Sequence, residues 1–231
     1  MRSIPIFMYH NIGQPASEDR KPRLYVQTKA FAWQMALLRL LGYRGISMNE
    51  AMPYLRDDAK GKVAVITFDD GYADTLDAAL PILQRYGHTA TCYMVSQRMG
   101  QHNNWDADLI GARKPLMNEE QLLKWSAAGM EVGAHTQTHP HLPDCDADSL
   151  QREIAGSKAD LESLLQKPVT QFCYPYGSLD ARVVEAVRKA GYEAATTTAR
   201  GIASIGDNPY LLPRERPRFS RILFKLGLGI G

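Results

Sequence analysis

A short apolar run, Lys62-Val63-Ala64-Val65-Ile66-Thr67-Phe68, ends in two adjacent carboxylates and a glycine, Asp69-Asp70-Gly71. Neighbouring carboxylates repel, and at the end of a buried strand that repulsion costs free energy unless a cation or a proton separates their roles. The pair therefore points to a metal site with one carboxylate as ligand and the other as base. Its competing use is as the N-cap of a helix beginning near Thr75-Leu76. A second strand-like run, Glu131-Val132-Gly133-Ala134, passes into His135-Thr136-Gln137-Thr138-His139-Pro140-His141. Gly133 and Pro140 interrupt any continuous helix through this stretch. His135 and His139 can still converge from one turn, and two imidazoles with one carboxylate form an open catalytic shell for zinc or a similar divalent ion. His141 is then a spare. Alone, a histidine-rich turn is more often a solvated loop than a metal site; a carboxylate pair at another strand end reverses that balance.

A third motif follows, Tyr174-Pro175-Tyr176-Gly177. With Thr67-Phe68-Asp69-Asp70-Gly71-Tyr72 and His135-Thr136-Gln137-Thr138-His139 before it, in that order, the chain resembles the polysaccharide deacetylase family, the NodB-homology domains of the fourth carbohydrate esterase family. The resemblance covers nearly the whole chain. It implies an α/β fold, a distorted (β/α)7 barrel in a single domain, and a hydrolase that removes N-acetyl groups from amino sugars. It further implies one divalent ion, zinc with cobalt or nickel as alternatives, held by Asp70, His135 and His139. Asp69 becomes the general base, and Tyr176, with Pro175, stands on the oxyanion and substrate side. Two alternatives stay open: a related deformylase or amidase acting on another C–N substrate, and a non-catalytic carbohydrate-binding barrel.

The chain departs from the common family pattern in two places. No histidine follows His141, so the late Leu-x-His motif that supplies the acid is missing. His10 ends the first strand at the same end of the sheet, and this arrangement resembles the branch that deacetylates poly-N-acetylglucosamine exopolysaccharides. Histidine titrates in the range such an acid needs; the alternative is a packed core histidine. Cys173 stands where many members carry an arginine oriented towards the catalytic aspartate. Arg214, in Leu212-Pro213-Arg214, either replaces that guanidinium or forms a surface ion pair. Cys173 itself reads as a small buried apolar residue.

These residues need elements to hold them. Strand-like runs are expected at 4–8, 44–47, 62–68, 90–95, 131–134, 171–174 and 193–197, each short and apolar or β-branched, as strands buried on both faces should be. Helical spacing is expected at 28–41, 48–55, 72–86, 119–128, 150–165 and 179–190. Ser47 with Glu50, and Asn118 with Gln121, form capping pairs, while Gly42, Gly87, Gly129 and Gly191 fall where helices end. Alternating strands and helices imply a parallel barrel or wound sheet, whose chemistry sits at the carboxyl ends of the strands. Trp105, Tyr72 and Tyr176 are aromatics able to stack on sugars or to pack.

The composition of the 231-residue chain, 45% hydrophobic and 23% charged, is that of an ordinary globular protein. A net charge of +2 with no basic run on one face argues against nucleic acid. Three scattered cysteines form no disulfide framework and suit a reducing compartment. The N-terminus shows no secretory leader, so a cytoplasmic location is expected, peripheral at the inner membrane face if the tail binds lipid. Residues 1–216 are expected to form the deacetylase domain and 217–231 a basic amphipathic tail. In that tail Phe219, Ile222, Leu223 and Leu226 alternate with Arg218, Arg221 and Lys225, a pattern that suits an anionic membrane surface. Membrane contact would make a lipid-linked oligosaccharide an alternative to a free amino-sugar polymer as substrate.

Overall fold

The computed structural model describes residues 3–15, 17 and 19–217. Its central strands are β1 (Ile6–Tyr9), β2 (Arg44–Ile46), β3 (Val63–Phe68), β4 (Thr91–Met94), β5 (Glu131–Ala134), β6 (Gln171–Cys173), β7 (Ala194–Arg200) and β8 (Leu212–Arg214). All pair in parallel, in the order β8-β7-β6-β5-β4-β3-β1, with β2 pairing the first half of β3. The ring nearly closes where Glu215, just past β8, bridges β1: the Met8 N–H donates to the Glu215 carbonyl at 2.9 Å and the Glu215 N–H to the Ile6 carbonyl at 2.8 Å. The single domain is thus a barrel of seven parallel strands, as expected.

One membership differs from expectation. The run at 44–47 does form a strand, β2, but off the ring; the seventh ring position belongs to β8, which the sequence did not mark. Pro213 sits in its middle, and a proline without an N–H removes the strand signal. The strand forms because Leu212 and Arg214, on either side of Pro213, pair with Thr196 and Arg200 of β7.

Helices α1 (Thr28–Leu40), α2 (Met48–Leu55), α3 (Leu80–Tyr86), α4 (Glu119–Ala127), α5 (Ser157–Leu165) and α6 (Ala181–Lys189) accompany the strands. Ser47 with Glu50 and Asn118 with Gln121 form reciprocal capping boxes, and all four expected glycines take positive φ. Strand side chains alternate between two buried surroundings. Val63, Val65, Ile6, Tyr93, Cys173, Ala194 and Leu212 pack together inside the ring, whereas Phe7, Tyr9, Ala64, Ile66, Phe68, Cys92 and Phe172 pack outward with the helices. Carried one step past the strand ends, the same alternation directs His10, Asp69 and His135 towards the barrel axis. No helix among the described residues is long and apolar enough to cross a membrane. The tail residues 218–231, and with them the expected amphipathic pattern, lie outside the described residues.

Candidate active site

Asp69 and Asp70 leave β3 in different directions. Asp69 continues the inward face, and Asp70 turns aside with φ 73°, a left-handed backbone that costs an L-residue free energy. Gly71 follows with φ 77°; a Cβ there would lie 2.2 Å from the Met94 sulfur, so the turn needs glycine. Thr136, His139 and Tyr176 also take positive φ, at 69°, 69° and 60°. Backbone strain is therefore concentrated at the barrel mouth, where all four residues stand.

Asp69 is buried and gripped by Arg214. Nη1 donates to Oδ1 and Nη2 to Oδ2, both at 2.7 Å. The remaining guanidinium protons go to the Thr197 carbonyl at 2.8 Å, the Thr67 hydroxyl at 3.0 Å and the Cys173 sulfur at 3.1 Å. All five donors are thereby used. Burial alone would raise the Asp69 pKa, but the Arg214 charge and its paired hydrogen bonds outweigh burial and hold the carboxyl below its ordinary range. His10 Nε2 stands 3.9 Å from Asp69 Oδ2. Of the two uses of Arg214 left open by the sequence, the structure shows a fully buried clamp on Asp69, beside the Cys173 that stands at the family's usual arginine position.

Asp70, His135 and His139 converge. Their Nε2 atoms lie 3.4 and 3.3 Å from Asp70 Oδ1. His135 Nδ1–H donates to the Cys173 carbonyl at 2.7 Å, which turns its Nε2 towards the Asp70 carboxylate. His139 Nδ1 is buried without a hydrogen-bond partner among the described residues. A carboxylate and two imidazole nitrogens converging in a buried place need positive charge among them, supplied by protons on the rings or by a bound cation. The donor set of two imidazoles and one carboxylate fits a divalent metal, and one ligand atom from each residue lies within 4.8 Å of the others. Asp69, His135 and Cys173 form a second group of that size, but Arg214 already occupies the Asp69 oxygens and the Cys173 sulfur, so a guanidinium fills the cationic role there.

The surroundings hold the two histidine rings in place. Trp105 stacks on the His139 ring at 4.6 Å, and Tyr176 meets its edge at 4.5 Å. His141 stacks on Tyr176 at 4.0 Å, an aromatic partner outside the convergent Asp70, His135 and His139 group. The Tyr176 hydroxyl donates to Asp106 at 3.2 Å, and Pro175 is buried at the start of the Pro175–Gly177 turn. Tyr72 packs in the core rather than in the cavity. Glu153 was not singled out by the sequence, yet it accepts from the Gln137 and Thr138 N–H groups at 2.8 and 2.9 Å and so fixes the turn between the two histidines. A carboxylate in a helical stretch carries no local signal of this role. The cavity has a volume of about 270 Å³ and is walled by His10, Asp69, Asp70, His135, His139 and Tyr176 among others.

A parallel barrel with a clamped carboxylate and a convergent two-histidine, one-carboxylate set at its carboxyl end defines a hydrolase site of the barrel type. A family model described as polysaccharide deacetylase matches residues 56–195, and the chain belongs to that family, as a hydrolase of non-peptide C–N bonds. YxkH of Bacillus subtilis (strain 168), named for the same family, is 32% identical over 215 residues, 92% of this chain and 71% of the relative. The poly-beta-1,6-N-acetyl-D-glucosamine N-deacetylase of Staphylococcus aureus (strain MRSA252) is 23% identical over 198 residues, 82% of this chain and 66% of the relative. The Streptococcus pyogenes deacetylase PplD, solved in complex with acetate, superposes with a TM-score of 0.82 at 26% identity, covering 97% of this chain and 98% of that one.

Proposed function

We propose that this protein removes N-acetyl groups from an amino-sugar polymer by hydrolysis assisted by one divalent metal ion. The observation that carries the proposal is the division of labour between adjacent carboxylates: Asp69 is clamped by Arg214 while Asp70 faces two imidazoles. The N-acetylglucosamine polymer acted on by the Staphylococcus relative supports this substrate class.

Asp70, His135 and His139 would hold the ion, with zinc favoured by the nitrogen and oxygen donors. Bound there, it supplies a Lewis acid that lowers the pKa of water from ~16 towards ~7 and polarises the acetyl carbonyl. Asp69 takes the proton from the attacking water; Arg214 keeps that carboxylate ionised and aimed. The Tyr176 N–H donates to the oxygen that gains charge as water adds to the carbonyl carbon. His10 gives a proton to the leaving nitrogen as the C–N bond breaks, so that acetate and a free amine depart. His10 and Asp69 lie side by side, 3.9 Å apart, which suits proton delivery and proton removal at one carbon.

The test is release of acetate and free amine from N-acetylglucosamine tetramer by protein loaded in turn with zinc, cobalt and nickel. Equal amounts of both products are expected. Absence of acetate with every metal, alongside formate release from the N-formyl tetramer, would replace this reading with the deformylase one.

A further inference from the structure

The two histidines of the convergent group are held in different ways. His135 directly follows β5 and its ring is tied to the Cys173 carbonyl, so its place follows from the barrel. His139 stands four residues on, past a turn in which Thr136 and His139 itself take positive φ. The turn's carbonyls are met by backbone: the Ser96 N–H donates to Thr136 and the Gln97 N–H to Gln137, both at 3.0 Å. The His139 N–H donates to the Thr136 hydroxyl at 2.9 Å. Between them, the Gln137 and Thr138 N–H groups converge on one oxygen, Glu153 Oε2, at 2.8 and 2.9 Å. The Thr138 hydroxyl donates to the other oxygen, Oε1, at 2.5 Å. Successive N–H groups turned to one side by a left-handed residue form a concavity for an anion, and a single side chain fills it with both oxygens.

The helix that bears Glu153 is irregular where it meets this turn. Ala147–Gln151 is helical, Arg152–Gly156 widens into a π turn, and α5 continues from Ser157. Such widened turns are rare and occur mostly where a helix serves a site. Here the Ile154 carbonyl accepts from the Ser157 hydroxyl at 2.9 Å and from the Tyr192 hydroxyl at 3.0 Å, which secures the π turn from two sides. Gly156 lets the helix lie against the histidine turn, since a Cβ there would stand 2.6 Å from the Gln137 amide nitrogen. Further along α5, Asp160 Oδ2 accepts from that same nitrogen at 2.9 Å and from the Ser96 hydroxyl at 2.7 Å. Glu153 and Asp160 thus bind one target, the stretch between His135 and His139.

We propose that Glu153 is a positioning residue of the metal centre: it holds His139 where a divalent ion shared with His135 and Asp70 requires it, and so sets metal affinity. The inference rests on the metal-dependent reading above and adds a residue that acts through the chain. Left-handed backbone at Thr136 and His139 costs free energy and persists only where the surroundings impose it. Without Glu153 two N–H groups lose their acceptor, and the turn relaxes away from positive φ and carries His139 with it. His135 stays, because β5 and the Cys173 carbonyl hold it. A ligand set in place beforehand need not be ordered when the ion binds, which is why loss of supporting hydrogen bonds weakens metal binding by about 10–100-fold.

The test measures zinc affinity by chelator competition, the visible spectrum of the cobalt-loaded protein, and urea unfolding of the metal-free protein. Glu153→Ala should bind zinc about 10–100-fold more weakly and alter the cobalt spectrum. Glu153→Gln should recover most of that loss, because its carbonyl can accept both N–H groups and the Thr138 hydroxyl can turn to accept from its amide. Glu162→Ala controls for a general loss of stability. On the same helix Glu162 accepts from the Val169 N–H at 2.9 Å and from the Lys158 ammonium at 2.8 Å. Its variant should unfold at lower urea with zinc affinity unchanged. Thr138→Val, which removes one hydrogen bond, should weaken zinc binding less than Glu153→Ala does, and it carries the test if Glu153→Ala fails to fold. Wild-type zinc affinity in Glu153→Ala, or in Thr138→Val where that variant stands in, would overturn the proposal. So would a Glu162→Ala loss as large as that of Glu153→Ala, or a Glu153→Gln variant no better than Glu153→Ala. Wild type that binds neither zinc nor cobalt would overturn the metal-dependent reading and this inference with it.

Discussion

Two regions of this barrel gather carboxylates and histidines, and they do so in opposite ways. Where the starts of β4 and β5 meet the N-terminus of α2, Glu131 accepts from the Thr91 hydroxyl at 2.5 Å and the Asn49 N–H at 3.0 Å. Glu50 accepts from the Ser47 N–H at 3.1 Å and from the Thr89 hydroxyl. Nearby His88 accepts from the Gly45 N–H at Nδ1 and donates from Nε2 to the Met35 carbonyl, each at 3.0 Å. Every one of these groups meets its complement, and the region is structural. At the mouth, Asp70 faces two imidazole nitrogens, and His139 Nδ1 has no partner among the described residues. Residue types are the same in both places; what separates them is that each structural group has its own fixed partner, whereas at the mouth three groups converge on one point that protons or a bound cation can fill.

That contrast can be broken by substitution, and the mouth should give the largest effects. Asp69→Asn should lower kcat by ~10²–10⁴-fold, the range for loss of a general base, with metal content unchanged; His10→Ala should fall near the low end of that range. Turnover within a factor of two of wild type in either variant would remove that residue from the mechanism. Stability comes next. Arg214→Met leaves the buried Asp69 charge uncompensated and should cost about 3–5 kcal/mol in urea unfolding, with most of the loss recovered in the Asp69→Asn, Arg214→Met double variant. If the two losses simply add, the clamp is not what holds the carboxylate.

The smallest effect belongs to the structural region. Burial pushes the Glu131 carboxyl up from its ordinary 4.5 to about 7, against the opposing pull of the Thr91 hydroxyl and the Asn49 N–H. The folded protein therefore keeps a proton between those values that the unfolded chain releases. Stability from this group is full below pH 4.5, declines as pH rises through 7 and is flat above it. Glu131→Gln should remove that decline, a change trimmed by partial solvent exposure to on the order of 1 kcal/mol between pH 5 and 8. An unaltered slope in the variant would place the titration elsewhere.

Much of the site was legible because its residues follow strands whose inward alternation runs through the chemistry. Ile6, Met8 and His10 share one parity; Val63, Val65, Thr67 and Asp69 share another run of it. The same count through Leu212 to Arg214 would have placed Arg214 inward, but Pro213 hid the strand that the count requires. Glu153 was not legible: it acts through hydrogen bonds to Gln137 and Thr138 that exist only once the chain has folded. The stacking of Trp105 on His139 is likewise a product of packing between distant segments.

The central claim is that the mouth holds a divalent ion where the structural region needs none, and elemental analysis of purified protein tests it most directly. Wild type should carry about one zinc, cobalt or nickel per chain, and His135→Ala with His139→Ala should carry none, while His88→Ala keeps the metal. Wild type that stays metal-free after incubation with excess divalent ions, or a double variant that binds as well as wild type, would contradict the account.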